Sequence, residues 1–209
     1  MYVPSAFAIP DRAVLHDLIR TYSFAVIAGV AGGAIQIAYA PTLFLEAEPH
    51  GRLQFHLARA NPLSSIDDGA HLTLSFLGPH AYISPNWYKS TGQVPTWNYM
   101  AVEGAGRVRR LDGDELRRQL QKLATQHESP IAAAEAWSLP RLDEARLTAL
   151  LGAISGFEVQ LTSLEGKLKL SQNKSREDIA GAIEGLEQRG DALSLAVAAA
   201  MKKQLAHTC

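Results

Sequence analysis

Arg59 and Asn61 follow directly on an alternating run at residues 52–57. There Leu53, Phe55 and Leu57 take one face and Arg52, Gln54 and His56 the other. Backbone N–H groups become free where a strand ends. An arginine fork and an amide beside them suit a dianionic phosphate. A surface arginine and an asparagine closing a turn before Pro62 fit the same spacing.

A second concentration is aromatic. Tyr82, Trp87, Tyr88, Trp97 and Tyr99, five of the chain's nine Trp and Tyr residues, fall between positions 82 and 99. Flat rings with N–H or O–H handles suit a planar heteroaromatic ligand. They equally suit a packed barrel end or a subunit interface. A third group is basic: Lys167, Lys169 and Lys174 stand near Gln172 and Asn173. In an extended chain Lys167, Lys169 and Ser171 share one face while Leu168 and Leu170 bury the other, as on an edge strand guarded by lysines. Together with Arg107, Arg109 and Arg110 they also offer a nucleic-acid patch, but no helix-turn-helix, zinc finger or basic zipper accompanies them.

Other chemistries lack their residues. No glycine-rich dinucleotide fingerprint, phosphate-binding loop, zinc-protease motif or serine elbow is present. His50, His56, His71, His80 and His127 are scattered without ligand spacing, and Glu103 and Asp112 read as isolated carboxylates. No metal site and no catalytic residue are assigned. The lone Cys209 can form neither an internal disulfide nor a multi-thiolate zinc site. With no basic-then-apolar leader at the start, this points to a reducing cytoplasm.

Twenty Lys and Arg against 21 Asp and Glu leave a net charge of -1, which disfavours a broadly basic nucleic-acid binder. The 47% hydrophobic content of the 209 residues is that of a globular chain. The uncharged run at 24–40 is slightly short for a membrane helix and is broken by Gly29, Gly32 and Gly33, so it reads as two buried strands, 24–28 and 34–39.

These segments need a scaffold. Asp11 caps an amphipathic helix at 11–22. Strands follow at 52–57 and 72–77, the latter ended by Gly78-Pro79, with 81–84 extending the pairing beyond that turn. A loop occupies 85–95, and strands occupy 97–102 and 106–111. Asp114 caps a helix to about His127, and a second helix spans 143–153. Phe157, Val159 and Leu161 alternate as a further strand. Ser175 and Asp178 open a helix that Gly190 ends, and Asp191 caps a last one. The expected fold is α+β: one domain over 1–209, mainly antiparallel and barrel-like, with a helical C-terminal portion at about 175–206.

The segments HLARANP (56–62), GPHAYISPNWY (78–88), VPTWNY (94–99) and LEGKLKLSQNK (164–174), with the opening Met1-Tyr2-Val3-Pro4, resemble in order the FMN-binding negative transcriptional regulators of the PaiB type. The resemblance implies a split β-barrel related to pyridoxamine phosphate oxidases, a homodimer, and FMN at the subunit interface. It implies His56, Arg59 and Asn61 on the phosphate side, and Tyr82, Trp97, Asn98 and Tyr99 along the ring or ribityl part. Lys169 and Gln172 would approach from the C-terminal segment. Tyr39, Glu103 and Ala105 stand where the family commonly has histidines, and Ser64-Ser65 where it has a polar–aromatic pair. The implied function is regulation by an FMN-binding protein. An FMN-dependent oxidoreductase and a degenerate member with an altered pocket are the alternatives, and FMN would supply the redox chemistry without demanding a protein acid or base. Direct DNA contact is not supported by the sequence, and no membrane partner is expected.

Overall fold

The computed structural model describes residues 1–131 and 136–207, so Cys209 lies outside the described residues. The fold is α+β, as expected. Seven antiparallel strands form one open sheet: β1 (Phe24–Ala31), β2 (Ala34–Pro41), β3 (Leu43–Leu45), β4 (Arg52–Ala58), β5 (His71–Ile83), β6 (Thr96–Arg110) and β7 (Ile154–Lys169). Their order is β2-β1-β5-β6-β7-β4-β3, so β2 and β3 are its edges and no hydrogen-bonded ring closes. The helices are α1 (Arg12–Thr21), α2 (Gly113–Glu128), α3 (Glu144–Gly152), α4 (Arg176–Arg189) and α5 (Ala192–His207).

The chain forms two compact units. One comprises residues 1–18, 77–103 and 165–209; the other comprises 19–76 and 104–164. The second is the larger β unit. Its core holds Ile27, Leu53, Phe55, Leu72, Leu74, Phe76, Phe157 and Leu161, all nearly inaccessible. Phe55 and Phe157 are paired in register on β4 and β7, their rings stacked at 5.3 Å. The first unit contains the helical C-terminus. There Ile83, Tyr88, Leu170, Ile183, Leu186, Val197 and Met201 build the core.

Several boundaries differ from the sequence expectation for identifiable reasons. Gly78-Pro79 does not end a strand, since β5 runs through it. The inward positions switch there from even (72, 74, 76) to odd (81, 83), with Gly78 and Pro79 both buried. The pair inserts a one-residue change of phase, a role glycine and proline take inside strands at bulges. The two segments expected at 97–102 and 106–111 are one strand, β6. Gly106 marks close approach: a Cβ there would lie under 3.0 Å from the Gln160 backbone. The 167–171 segment is no solvated edge. β7 ends within it at Lys169, Lys167 bridges to Ala8 and is 9% exposed, and Leu170 and Ser171 are buried.

The expected pair of buried strands at 24–28 and 34–39 is half right. Register pairs Ala28 with Ile37 and Val26 with Tyr39, and Ala25, Ile27, Ala38 and Ala40 bury one face. The other face is open: Phe24, Val30, Ile35, Ile37 and Tyr39 are 58–75% exposed. An antiparallel sheet can pack one face on a core and leave the other to solvent, and here no described element covers the outer face of β1 and β2.

Helix caps follow local chemistry. Asp11 accepts from Ala13 N–H at 2.9 Å. Asp112, not Asp114, caps α2, in a reciprocal box with Glu115. Asp112 is therefore not isolated. Neither is Glu103, whose carboxylate lies 2.7 Å from the Met1 ammonium. Ser175 caps α4, and Gly190 closes it at φ 73°.

Candidate functional site

The residues singled out on the phosphate side belong to the β unit. Arg59 is exposed at the end of β4 and donates Nε to the Gly152 carbonyl (2.8 Å) and Nη2 to the Ile154 carbonyl (3.3 Å). It lines a cleft of about 220 Å³ with Arg110, Asp112 and Gly113. Arg110 donates to the Ser64 and Ile66 carbonyls and sits 5.3 Å above the Phe157 ring. His56 and Asn61 do not line this cleft. Asn61 accepts from Leu63 N–H and closes the turn that Pro62 begins. His56 lies beside Gln119 of α2; its Nδ1 and both Gln119 amide atoms are buried without a hydrogen-bond partner. Burial holds the His56 imidazole below its usual pKa, with the Gln119 side chain offsetting part of that shift.

The arginine triplet proposed as half of a nucleic-acid patch is spent on internal bonds. Arg107 donates to the Gly69 carbonyl. Arg109 makes a fork with Glu115 (2.8 Å to each oxygen) and reaches Glu158 at 2.9 Å. Glu158, 4% exposed on β7, also binds Gln54 (2.7 Å) and Arg52 (3.4 Å). Sequence reasoning passed over Glu158 and Gln119. Glu158 had a signal, being the polar partner of Phe157 and Val159 in an alternating strand; Gln119 had none.

The ring-side residues belong to the other unit. Trp97 and Tyr99 share one face of β6 and Asn98 takes the opposite one, as period two dictates. Trp97 is 52% exposed. Tyr82 meets it edge-on at 6.3 Å and His80 lies 6.2 Å away at 33°. His80, noted from the sequence only as a scattered histidine, thus joins the aromatic group; its two-residue spacing from Tyr82 was the available signal. Tyr99 faces the Lys167 ammonium at 5.4 Å. Lys169 Nζ donates to the Trp97 carbonyl (2.8 Å) and to Thr96 Oγ1, fixing the backbone under the indole.

Asn98 points inward and is fully buried. Its Nδ2 donates to Ser171 Oγ at 2.9 Å and contacts Met201 Sδ at 3.4 Å. Gln172 folds onto its own backbone, accepting from Leu170 N–H (2.7 Å) and donating to the Leu168 carbonyl (2.5 Å). That closure accompanies a left-handed Ser171, φ 63°, rare for a residue with a Cβ. Among the described residues no group of three or more His, Cys, Asp or Glu could hold a metal ion. No described helix is long and apolar enough to cross a membrane.

An open seven-stranded antiparallel sheet with flanking helices is the architecture of a split-barrel scaffold. The chain belongs to the PaiB-type family described as "Putative FMN-binding domain", whose sequence pattern matches residues 1–163. It is 29% identical to protease synthase and sporulation protein PAI 2 of Bacillus subtilis, over 98% of both chains. An uncharacterized protein of Aspergillus fumigatus is 28% identical over 74% of this chain and 73% of its own. Among solved structures, the FAD and heme binding protein of Mycobacterium smegmatis superposes with a TM-score of 0.60 at 20% identity, covering 83% of this chain and 78% of that one. The flavocytochrome Anf3 of Azotobacter vinelandii gives 0.56 at 12% identity, covering 83% and 75%. At those identities the two structures support the split-barrel fold.

Proposed function

We propose that this protein binds FMN and acts in regulation as a homodimer. The observation carrying the flavin reading is the Trp97 face, half open and edged by Tyr82 and His80. It is a flat surface on which an isoalloxazine ring can stack. In this reading Tyr99 extends the aromatic surface, while Lys169, Asn98 and Gln172 act from behind, holding the backbone of β6 and of the 168–172 segment. His56, Arg59 and Asn61, in the β unit, remain the residues the resemblance proposes for a phosphate, with Arg59 the exposed cation among them although its Nε and Nη2 already donate to the Gly152 and Ile154 carbonyls. When bound, the flavin supplies redox capacity; the protein's part is to bind and orient it.

FMN titration followed by flavin fluorescence tests the reading. Trp97→Ala should weaken binding roughly three- to tenfold, the scale of one aromatic stack. A protein that takes up no FMN, or a variant with unchanged affinity, would refute it.

The regulatory role rests on the family resemblance and on the relative named for protease synthesis and sporulation. Because Arg107, Arg109 and Arg110 are committed internally, DNA contact through that triplet is not part of the proposal. Sequence-selective gel shifts at physiological salt test regulation, and NAD(P)H-driven bleaching without oxygen would instead support the oxidoreductase alternative.

The dimer is proposed through the β1–β2 hairpin, whose outer face presents Phe24, Val30, Ile35, Ile37 and Tyr39 in one register-aligned patch. Contiguous exposed apolar surface marks interaction sites, and a two-fold axis would lay the same patch on itself. Light scattering at micromolar concentration should give a dimer, and Tyr39→Asp a monomer. A monomeric parent, or a variant that stays dimeric, excludes this face.

A further inference from the structure

The smaller helical unit carries a second cavity, of about 140 Å³, bordered by Tyr88, Thr96, Asn98, Lys169, Ser171 and Lys174. Pockets for drug-sized ligands run to about 300 Å³ and upward, so an isoalloxazine ring does not fit here. The lining is cationic. Lys174 Nζ donates to Gln93 Oε1 at 2.6 Å and lies 5.5 Å above the Tyr88 ring. Lys169 gives its protons to Thr96 and to the Trp97 carbonyl. Among the described residues neither ammonium has a carboxylate partner.

The carboxylate this unit does bury, Asp178, is engaged elsewhere. It accepts from Lys89 N–H (2.7 Å), Ser90 N–H (2.9 Å) and Ser90 Oγ (2.6 Å). The Tyr88 hydroxyl is buried and has no hydrogen-bond partner. Ser171 is held in its left-handed conformation with its hydroxyl on Asn98. Two uncompensated ammoniums, a buried unpaired hydroxyl and fixed amide and hydroxyl dipoles around a small cavity constitute an incomplete electrostatic set. Its missing member is an acceptor with negative charge.

We propose that this cavity binds a small oxyanion, a carboxylate or a phosphate group of a few heavy atoms, between Lys169 and Lys174 with Tyr88 as an additional donor. The inference goes beyond flavin binding and does not require it. Burial, with Lys167 and Lys174 nearby, already presses the Lys169 pKa down. A bound anion would offset the repulsion from the neighbouring ammoniums, so affinity should fall as alkaline pH deprotonates Lys169.

Isothermal titration calorimetry of the full chain at low ionic strength, with sodium phosphate and sodium malonate as probes and sodium chloride as the control, tests it. One saturable site is expected for at least one probe, and the preferred probe tells phosphate from carboxylate chemistry. Lys174→Met should weaken binding more than about tenfold, and Tyr88→Phe roughly three- to tenfold. Tyr88→Phe removes only an unpaired hydroxyl, so its fold should persist and melting should confirm it. No saturable heat with either probe, or parent affinity in both variants, overturns the proposal. Flavin uptake is read on the same samples: anion binding without flavin uptake refutes only the flavin reading, and flavin uptake without anion binding refutes only this one.

Discussion

Replacing Gly181 by alanine should lower the stability of the helical unit by about 2–3 kcal/mol, although alanine is the better helix former by about 1 kcal/mol. The sign reverses because of one contact. A Cβ at position 181 would lie under 3.0 Å from the Trp87 carbonyl oxygen. That atom is backbone and cannot rotate away. One turn on, a Cβ at Gly185 would strike the Trp87 ring at 2.2–2.5 Å, its fixed Cγ included, so Gly185→Ala should also be destabilising. Gly152, in α3, has nothing within 4 Å of a built Cβ. Gly152→Ala should therefore be neutral or stabilising by up to about 1 kcal/mol. Urea melts of the three variants check the order. A Gly181→Ala protein as stable as its parent would mean that α4 does not rest on Trp87.

Glu158→Ala should cost about 2 kcal/mol. Glu158 is 4% exposed and binds Arg52, Arg109 and Gln54 at once. Removing one partner of a buried pair typically costs about 3–5 kcal/mol, because the surviving charge stays buried. Here the surviving arginine side chains are 38% and 43% exposed and can rehydrate, which lowers the figure. Arg109 also retains Glu115. That carboxyl is held at about 2 mainly by the Arg109 fork, with the Asp112 N–H assisting. Its folded pKa lies below the unfolded value of about 4.5, so its contribution is complete above 4.5 and lost as pH falls toward 2. Thermal melts at pH 6 and pH 3 should show this acid loss in parent and variant alike. A deficit under about 0.5 kcal/mol would place Glu158 among ordinary surface ion pairs.

Most elements were legible because their signals are local. Helix caps at Asp11, Ser175 and Asp191, the Gly190 terminator and the alternation at 52–57 all depend on residues a few positions apart. What sequence concealed was set by distant partners. Gly78-Pro79 reads as a break because nothing nearby reveals that β5 continues with its inward face changed. The sequence reading breaks the strand between 102 and 106, whereas β6 runs through with Gly106 pressed against the Gln160 backbone of β7. At the candidate site the aromatic positions were visible as a cluster, and the placing of Trp97 and Tyr99 on one face of β6 with Asn98 on the other follows from period two. The burial of Asn98 depends on Ser171 and Met201, more than seventy residues away. The internal commitment of Arg109 likewise depends on a glutamate 49 positions distant.

The stretch from Trp87 to Ser90 has neither helix nor strand along most of its length, yet it is pinned at both ends to α4. Trp87 is wedged against Gly181 and Gly185, and Lys89 and Ser90 hang from the Asp178 carboxylate. Between those two anchors sits Tyr88 at the rim of the lysine cavity. The stretch therefore behaves as a splint: irregular in shape, it keeps its aromatic ring as firmly registered as if the helix itself had carried it.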